Sequence, residues 1–240
     1  MAEALLEQRD TEAAMVVVKR LPRVMAPERN WRRQLLQARI EMESGQSTAA
    51  FVTLALLKRE LSERKAAPNL HARVDRVHAT LLEVDGQWEQ AAKIYRQTAK
   101  DKQRTPAIRI QSVLNAVRLY QRAGKLGLAR ETLREVVADS SMKGLHATSY
   151  CLQGELELAS GGKSAVAQDF FSRAISISFS DSLSARAQFG VGRCLMASGD
   201  ASGAHEAFFK VLKYGGTSNW LARVRYTDAL SLLADGKMEE

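Results

Sequence analysis

Apolar residues recur along this chain at three- and four-residue intervals, in paired blocks that each break at a glycine. The blocks read LQARIEMESGQSTAAFVTLALL, VHATLLEVDGQWEQAAKIYRQT, LNAVRLYQRAGKLGLARETLREV, LQGELELASGGKSAVAQDFFSRA and FGVGRCLMASGDASGAHEAFFKVL. That interval puts the apolar side chains on one face of a helix. No extended-strand pattern occurs, so the chain is expected to be all-α, with about 12–13 helices.

The blocks share a register. An alanine follows the turn glycine by five residues in Gly45/Ala50, Gly86/Ala91, Gly124/Ala129, Gly162/Ala167 and Gly199/Ala204. Four residues later comes a large apolar residue: Leu54, Tyr95, Leu133, Phe171 and Phe208. Seven before the glycine stands a small one, Ala38, Ala79, Val117 or Gly192, and the fourth block departs by about one residue, with Gly154 as counterpart. Glycine supplies the left-handed backbone that ends the first helix. The small residues let two helices approach, and the large one fills the space toward the next pair. Successive alanines lie 41, 38, 38 and 37 residues apart. Pro22, Pro27, Pro68 and Pro106 all fall between pairs, where proline is tolerated, and later junctions use Gly144 and Gly215-Gly216.

The register explains a misleading motif. Ser160-Gly161-Gly162-Lys163-Ser164 ends like a phosphate-binding loop, but Glu157 stands where that loop needs glycine, and a helix rather than a strand precedes it. SGGKS is an interhelix turn with one residue added.

The small–Gly–Ala–aromatic pattern resembles the tetratricopeptide repeat over residues 31 to about 235. The usual period of that family is 34 residues, so this chain has lengthened loops or second helices. The resemblance implies a right-handed α-solenoid of antiparallel helix pairs forming one domain over 1–240. The pairs span roughly 1–22, 29–64, 68–101, 105–139, 144–178 and 182–214, followed by a lone first helix at 218–235 with Gly236 as its turn. At the start, Ala14 and Val18 fit second-helix positions and Arg9 replaces the turn glycine. The last helix, with Tyr226, Ala229, Leu230, Leu232 and Leu233, has no polar cap after it. We therefore expect either a piece of a longer solenoid or a partner, including a second copy, over this end.

Charge changes the picture of the first half only. Residues 1–125 hold 23 Lys+Arg against 14 Asp+Glu, while residues 126–240 hold 12 against 13. That asymmetry suits an acidic partner or nucleic acid, or a solvated basic face. No run of 18 apolar residues and no secretory leader is present, and the two cysteines suggest no disulfide framework. A cytoplasmic setting is the default expectation, without membrane insertion.

No catalytic or cofactor constellation is evident. His71 and His78 lie seven apart on one helix, too far for a shared metal, and Cys151 and Cys194 read as core thiols. Gly190 and Gly192 in FGVGRC follow no strand, which excludes a dinucleotide fingerprint, and Glu155 and Glu157 point to different faces. No enzyme activity, metal or cofactor is expected.

The resemblance also implies a groove lined by first helices. Arg32, Arg73, Arg186 and Arg223 stand thirteen residues before a turn glycine, Arg39, Arg118 and Arg193 stand six before, and Arg76 and Arg122 are neighbours. Stacked, they would form a ladder of guanidinium groups suited to carboxylates. Trp31 and Trp220 open first helices as anchor candidates, whereas Trp88 is placed to pack its own helix pair. Leu35 and Leu114 occupy places where the family's carboxylate clamp is polar, so that chaperone-tail function is not expected. The expected role is a non-catalytic interaction scaffold for an extended, acidic segment or a partner subunit. RNA binding by the basic half is the alternative, and a substrate-binding part of a larger enzyme is a third reading.

Overall fold

The structure is a computed structural model that describes residues 1–22, 26–64, 68–212, 214 and 218–234. Gly215, Gly216, Gly236 and the Trp220 side chain lie outside the described part. Among the described residues there are thirteen α-helices, one short 3-10 helix and no strand. They are α1 (Ala2–Glu7), α2 (Thr11–Arg20), α3 (Pro27–Glu43), α4 (Ser47–Glu63), α5 (Pro68–Val84), α6 (Trp88–Lys100), α7 (Pro106–Arg122), α8 (Leu126–Ala138), α9 (Lys143–Ala159), α10 (Ser164–Ile177), α11 (Asp181–Ala197), α12 (Ala201–Leu212) and α13 (Ser218–Ala234). None of the described helices is long and apolar enough to cross a membrane. Two compact units divide the chain, Met1–Lys125 and Leu126–Glu240.

The turn chemistry repeats closely. Gly45, Gly86, Gly124, Gly161 and Gly199 have φ between 69° and 83°. In each case the next residue donates its N–H to the carbonyl five residues back: Gln46 to Glu41, Gln87 to Leu82, Lys125 to Tyr120, Gly162 to Glu157 and Asp200 to Leu195. This is the six-to-one bond of a helix end closed by a left-handed residue, and it satisfies carbonyls that the helix leaves open. Arg9 takes the same conformation at φ 62°, with Asp10 donating to Leu5. In the fourth pair the left-handed residue is Gly161, not Gly162. Counted from Gly161, the small residue seven positions earlier is Gly154, so the first helix is in register after all. The added residue is Gly162, which delays the second helix by one.

Six helices, α3, α5, α7, α9, α11 and α13, are each 17 residues long. The helices following the first five vary from 12 to 17 residues. The excess of the first interval, 41 residues, comes largely from α4, which has 17 residues against 13 in α6. Pro27 and Pro106 occupy the first helical position, where no N–H is needed.

In the first unit, each helix from α1 to α7 packs on the next, and α3 also reaches α5. One core gathers Leu6, Ala14, Val18 and Ile40. A second gathers Trp31, Leu35, Ala38, Ala50, Leu54, Leu57, Leu61, Val74 and Leu81. In the second unit, helices from α8 to α13 pack in the same sequential way, and α9 reaches α11. Phe171 centres one core with Cys151, Ala167, Ala187 and Cys194. Phe208 centres another with Ala185, Phe189, Ala204, Val211 and Val224.

All five register alanines and all five large partners are buried. The two phenylalanines need more room than alanine would leave. A Cβ on Gly154 would lie 2.8 Å from Phe171 Cε1, and one on Gly190 2.5 Å from the same atom. A Cβ on Gly192 would lie 2.6 Å from Phe208 Cδ1. Real Cβ atoms do not approach rings so closely, and both rings are fully buried, so a shift of either would disturb its packed neighbours.

Two stability outcomes follow from this packing. Gly192→Ala should destabilise by about 1–3 kcal/mol through overpacking, despite the ~1 kcal/mol gain in helix propensity. Gly144→Ala, where a Cβ meets nothing within 4 Å, should be neutral or stabilising by up to about 1 kcal/mol. Urea melts of both variants decide this, and equal midpoints would contradict the packing account. Arg9→Gly should slow amide exchange across α1 and α2, because it removes roughly 1 kcal/mol of left-handed strain.

Candidate functional site

The arginines of the expected ladder do not form one free array. Arg118 on α7 makes a bidentate pair with Glu83 on α5, at 2.7 and 2.9 Å. Arg122 approaches the same carboxylate at 3.7 Å and lies 5.0 Å over the Trp88 ring. Arg186 on α11 pairs bidentately with Glu155 on α9, both bonds at 2.6 Å. Arg73 lies 3.9 Å from Glu3, and Arg223 sits over the Phe189 ring at 4.9 Å. The hydrogen bond from each paired guanidinium raises the already high pKa of Arg118 and Arg186 further. Among the described residues, Arg32, Arg39, Arg76 and Arg193 make no ion pair; Arg39 is half-buried and the other three are exposed.

Two of these findings correct the sequence reading. Trp31 is no surface anchor, since only 6% of it is exposed and it belongs to the α3–α5 core. Its position near the start of α3 puts it one turn above Leu35, on the buried face. Glu83 and Glu155 were not anticipated as partners. The signal for Glu83 was present: it stands three residues before its turn glycine, and Arg118 stands six before the next. Adjacent helices of one register bring such positions within reach.

One open groove in the first unit forms a cavity of about 430 Å³. It is lined from α5 by Arg73 and Arg76, from α6 by Tyr95, and from α7 by Ile108, Gln111 and Asn115. Tyr95 is nearly buried, while Ile108 is 42% exposed. Gln111 Nε2 donates to Asn115 Oδ1 at 3.3 Å, which leaves both amides with further donors and acceptors. An apolar patch therefore sits among two guanidinium and two amide side chains. Of the expected site residues, the structure brings only Arg73 and Arg76 together here.

Burial pushes the Cys151 thiol up to about 12, helped by Glu155, and pushes Cys194 up to about 11. Among the described residues no group of three or more His, Cys, Asp or Glu side chains is placed to hold a metal ion. His205 meets Asp228 at 2.9 Å, tying α12 to α13. On α13, Tyr226, Leu230 and Leu233 are 69%, 41% and 51% exposed and form an apolar stripe.

No protein-family model matches the chain, and a search of curated proteins returns no match.

The thiols carry a pH prediction. The unfolded chain ionises its cysteines near pH 8.5, whereas the folded chain keeps both protonated until about pH 11–12, so unfolding releases protons above pH 8.5. Stability contributed by these groups is complete below that pH and lost as pH rises through the folded values. At pH 8, a thiol reagent should label neither cysteine in the native protein and both in 8 M urea; rapid native labelling would refute their burial.

Proposed function

We propose that this protein is a non-catalytic interaction scaffold, a tetratricopeptide-like helical-repeat solenoid of antiparallel pairs. Its partner is an extended acidic segment of another protein, taken in the groove of α5, α6 and α7. The observation that carries this reading is the groove's composition. Tyr95 and Ile108 offer apolar contact, Arg76 is an exposed guanidinium without an ion pair, and Gln111 and Asn115 can bond a peptide backbone. An extended segment needs backbone partners at its sides and one or two anchored side chains, and it binds best on a surface already in place. The bidentate Arg118–Glu83 pair supports the reading by tying α5 to α7, the two walls of the groove.

The basic excess of the first unit favours a second reading, RNA binding. Glu83 weakens it by drawing in two of the arginines that phosphates would need. Salt separates the two readings, because phosphate-backbone binding falls steeply as counterions are released.

The test is a fluorescence titration with a labelled dodecapeptide of alternating leucine and glutamate, and with a labelled single-stranded RNA of random sequence. Both are run at low and near-physiological salt. Peptide binding should persist at the higher salt. It should weaken about tenfold in Arg76→Ala, the loss expected for one charge-assisted hydrogen bond, and change little in Arg193→Ala. RNA binding at the higher salt without peptide binding would replace the first reading by the second. Peptide binding unchanged in Arg76→Ala plus Asn115→Ala would remove the groove from either.

A further inference from the structure

The groove of α5, α6 and α7 carries two guanidinium groups, and no acidic residue is among the described side chains that line it. Arg73 and Arg76 stand three residues apart on α5, so they project from one face with Cβ atoms about 5–6 Å apart. Their surroundings differ. Arg76 is exposed and makes no ion pair among the described residues. Arg73 faces a carboxylate from another helix: its Nη2 lies 3.9 Å from Glu3 Oε1.

The packing of α1 sets that contact. Ala2 and Leu6 are buried in the core shared with α2 and α3, which leaves Glu3, beside Ala2, on an outer face of α1. The pair it makes is loose. Arg118–Glu83 and Arg186–Glu155 are bidentate, with hydrogen bonds of 2.6–2.9 Å. At 3.9 Å the Glu3 contact is coulombic without a hydrogen bond, and the two side chains are 54% and 63% exposed. The N–H donors of Arg73 therefore stay open to another acceptor.

We propose that Glu3 is a built-in competitor for the groove, an inference that rests on the reading that an acidic segment binds there. Glu3 partly neutralises Arg73 in the free protein. It yields when a segment carrying two acidic side chains two residues apart pairs one with Arg76 and the other with Arg73. The spacing follows from geometry. An extended chain rises about 3.3 Å per residue and points alternate side chains to one side, so acids at i and i+2 lie ~7 Å apart on the same face. Two flexible guanidinium stems at i and i+3 of a helix can meet them, whereas adjacent acids point opposite ways. The exchange favours the segment, because a charge-assisted hydrogen bond to a carboxylate is stronger than an exposed ion pair held at a distance. The contact also sets a threshold. A segment with one acid is served by Arg76 alone and gains nothing at Arg73, so the groove discriminates by the number and spacing of acids.

Fluorescence titration of the whole chain with the labelled leucine–glutamate dodecapeptide tests this. Glu3→Gln should tighten binding about two- to fivefold, the range an exposed ion pair contributes. Arg73→Ala should weaken binding, and adding Glu3→Gln to it should then gain nothing, since the competitor acts through that guanidinium. Glu7→Gln removes the same charge from the same exposed helix and should leave affinity unchanged, which separates the contact from long-range attraction. A second dodecapeptide, with every other glutamate replaced by glutamine, keeps its acids four residues apart. That is about 13 Å, roughly twice the separation of the two arginine stems, so it should lose most of the gain from Glu3→Gln. Peptide binding that Glu3→Gln leaves unchanged, or that Glu7→Gln tightens equally, would overturn the competitor and leave the scaffold reading standing. No saturable binding by any of these proteins up to ~10 mM, the range of very weak affinity, would overturn both.

Discussion

The contact on which the rest depends is the close approach of two helices beside a left-handed turn. A turn glycine ends one helix a few residues before the next begins, and a small residue seven positions earlier leaves a hollow that a large residue can occupy. In the first unit Leu54 shares a core with Ala38. In the second, Phe171 fills the space over Gly154 and Gly190, and Phe208 the space over Gly192. Where the filling residue is phenylalanine its counterpart is glycine: the ring occupies the space of the missing Cβ. Close-packed interiors tolerate little else, since a void forfeits contacts and an overlap forces strain. Because the buried alanines and their partners recur at one register, the same solution sets helix after helix in each unit.

Those contacts also decide where charge can act. A helix whose buried stripe is occupied by packing must carry its charged residues on the remaining faces. Adjacent helices of one register then bring opposite charges together, as Glu83 meets Arg118 and Glu155 meets Arg186. Exposed pairs of this kind contribute little stability, at most about 1 kcal/mol, so their consequence is mainly one of geometry and of charge removed from the surface. What is left for partners is smaller than composition suggests. In the first unit it includes a groove with an apolar base and exposed Arg76.

Much of the helical architecture was legible in the chain. The glycine–alanine–large-residue register located the interhelix turns, identified Arg9 as a stand-in for glycine, and recognised SGGKS as a turn. These features are local: a left-handed residue, a proline at a first turn and an i, i+4 stripe declare themselves within about twenty residues. Even the error at Gly162 was an error of one position, because two adjacent glycines offer the same conformational freedom and only the backbone shows which uses it.

The candidate sites were legible only in part, for a physical reason. Sequence spacing places a side chain on a face but does not say what the facing helix presents to it. Arg118 and Arg76 look alike along the chain, yet one is held by Glu83 and the other is exposed with no ion pair. Trp31 opens a helix where an anchor was plausible, but the core of α3, α4 and α5 closes over it. Glu3 and Arg73 belong to α1 and α5 and carry no motif, so their contact does not exist until the first unit packs. The sequence by itself determined where the chain turns and which faces are apolar, since both depend on near neighbours. Which charges cancel, and which remain to meet a ligand, was decided by tertiary structure, because electrostatic pairing acts between atoms a few ångströms apart in space however far apart they lie in the chain.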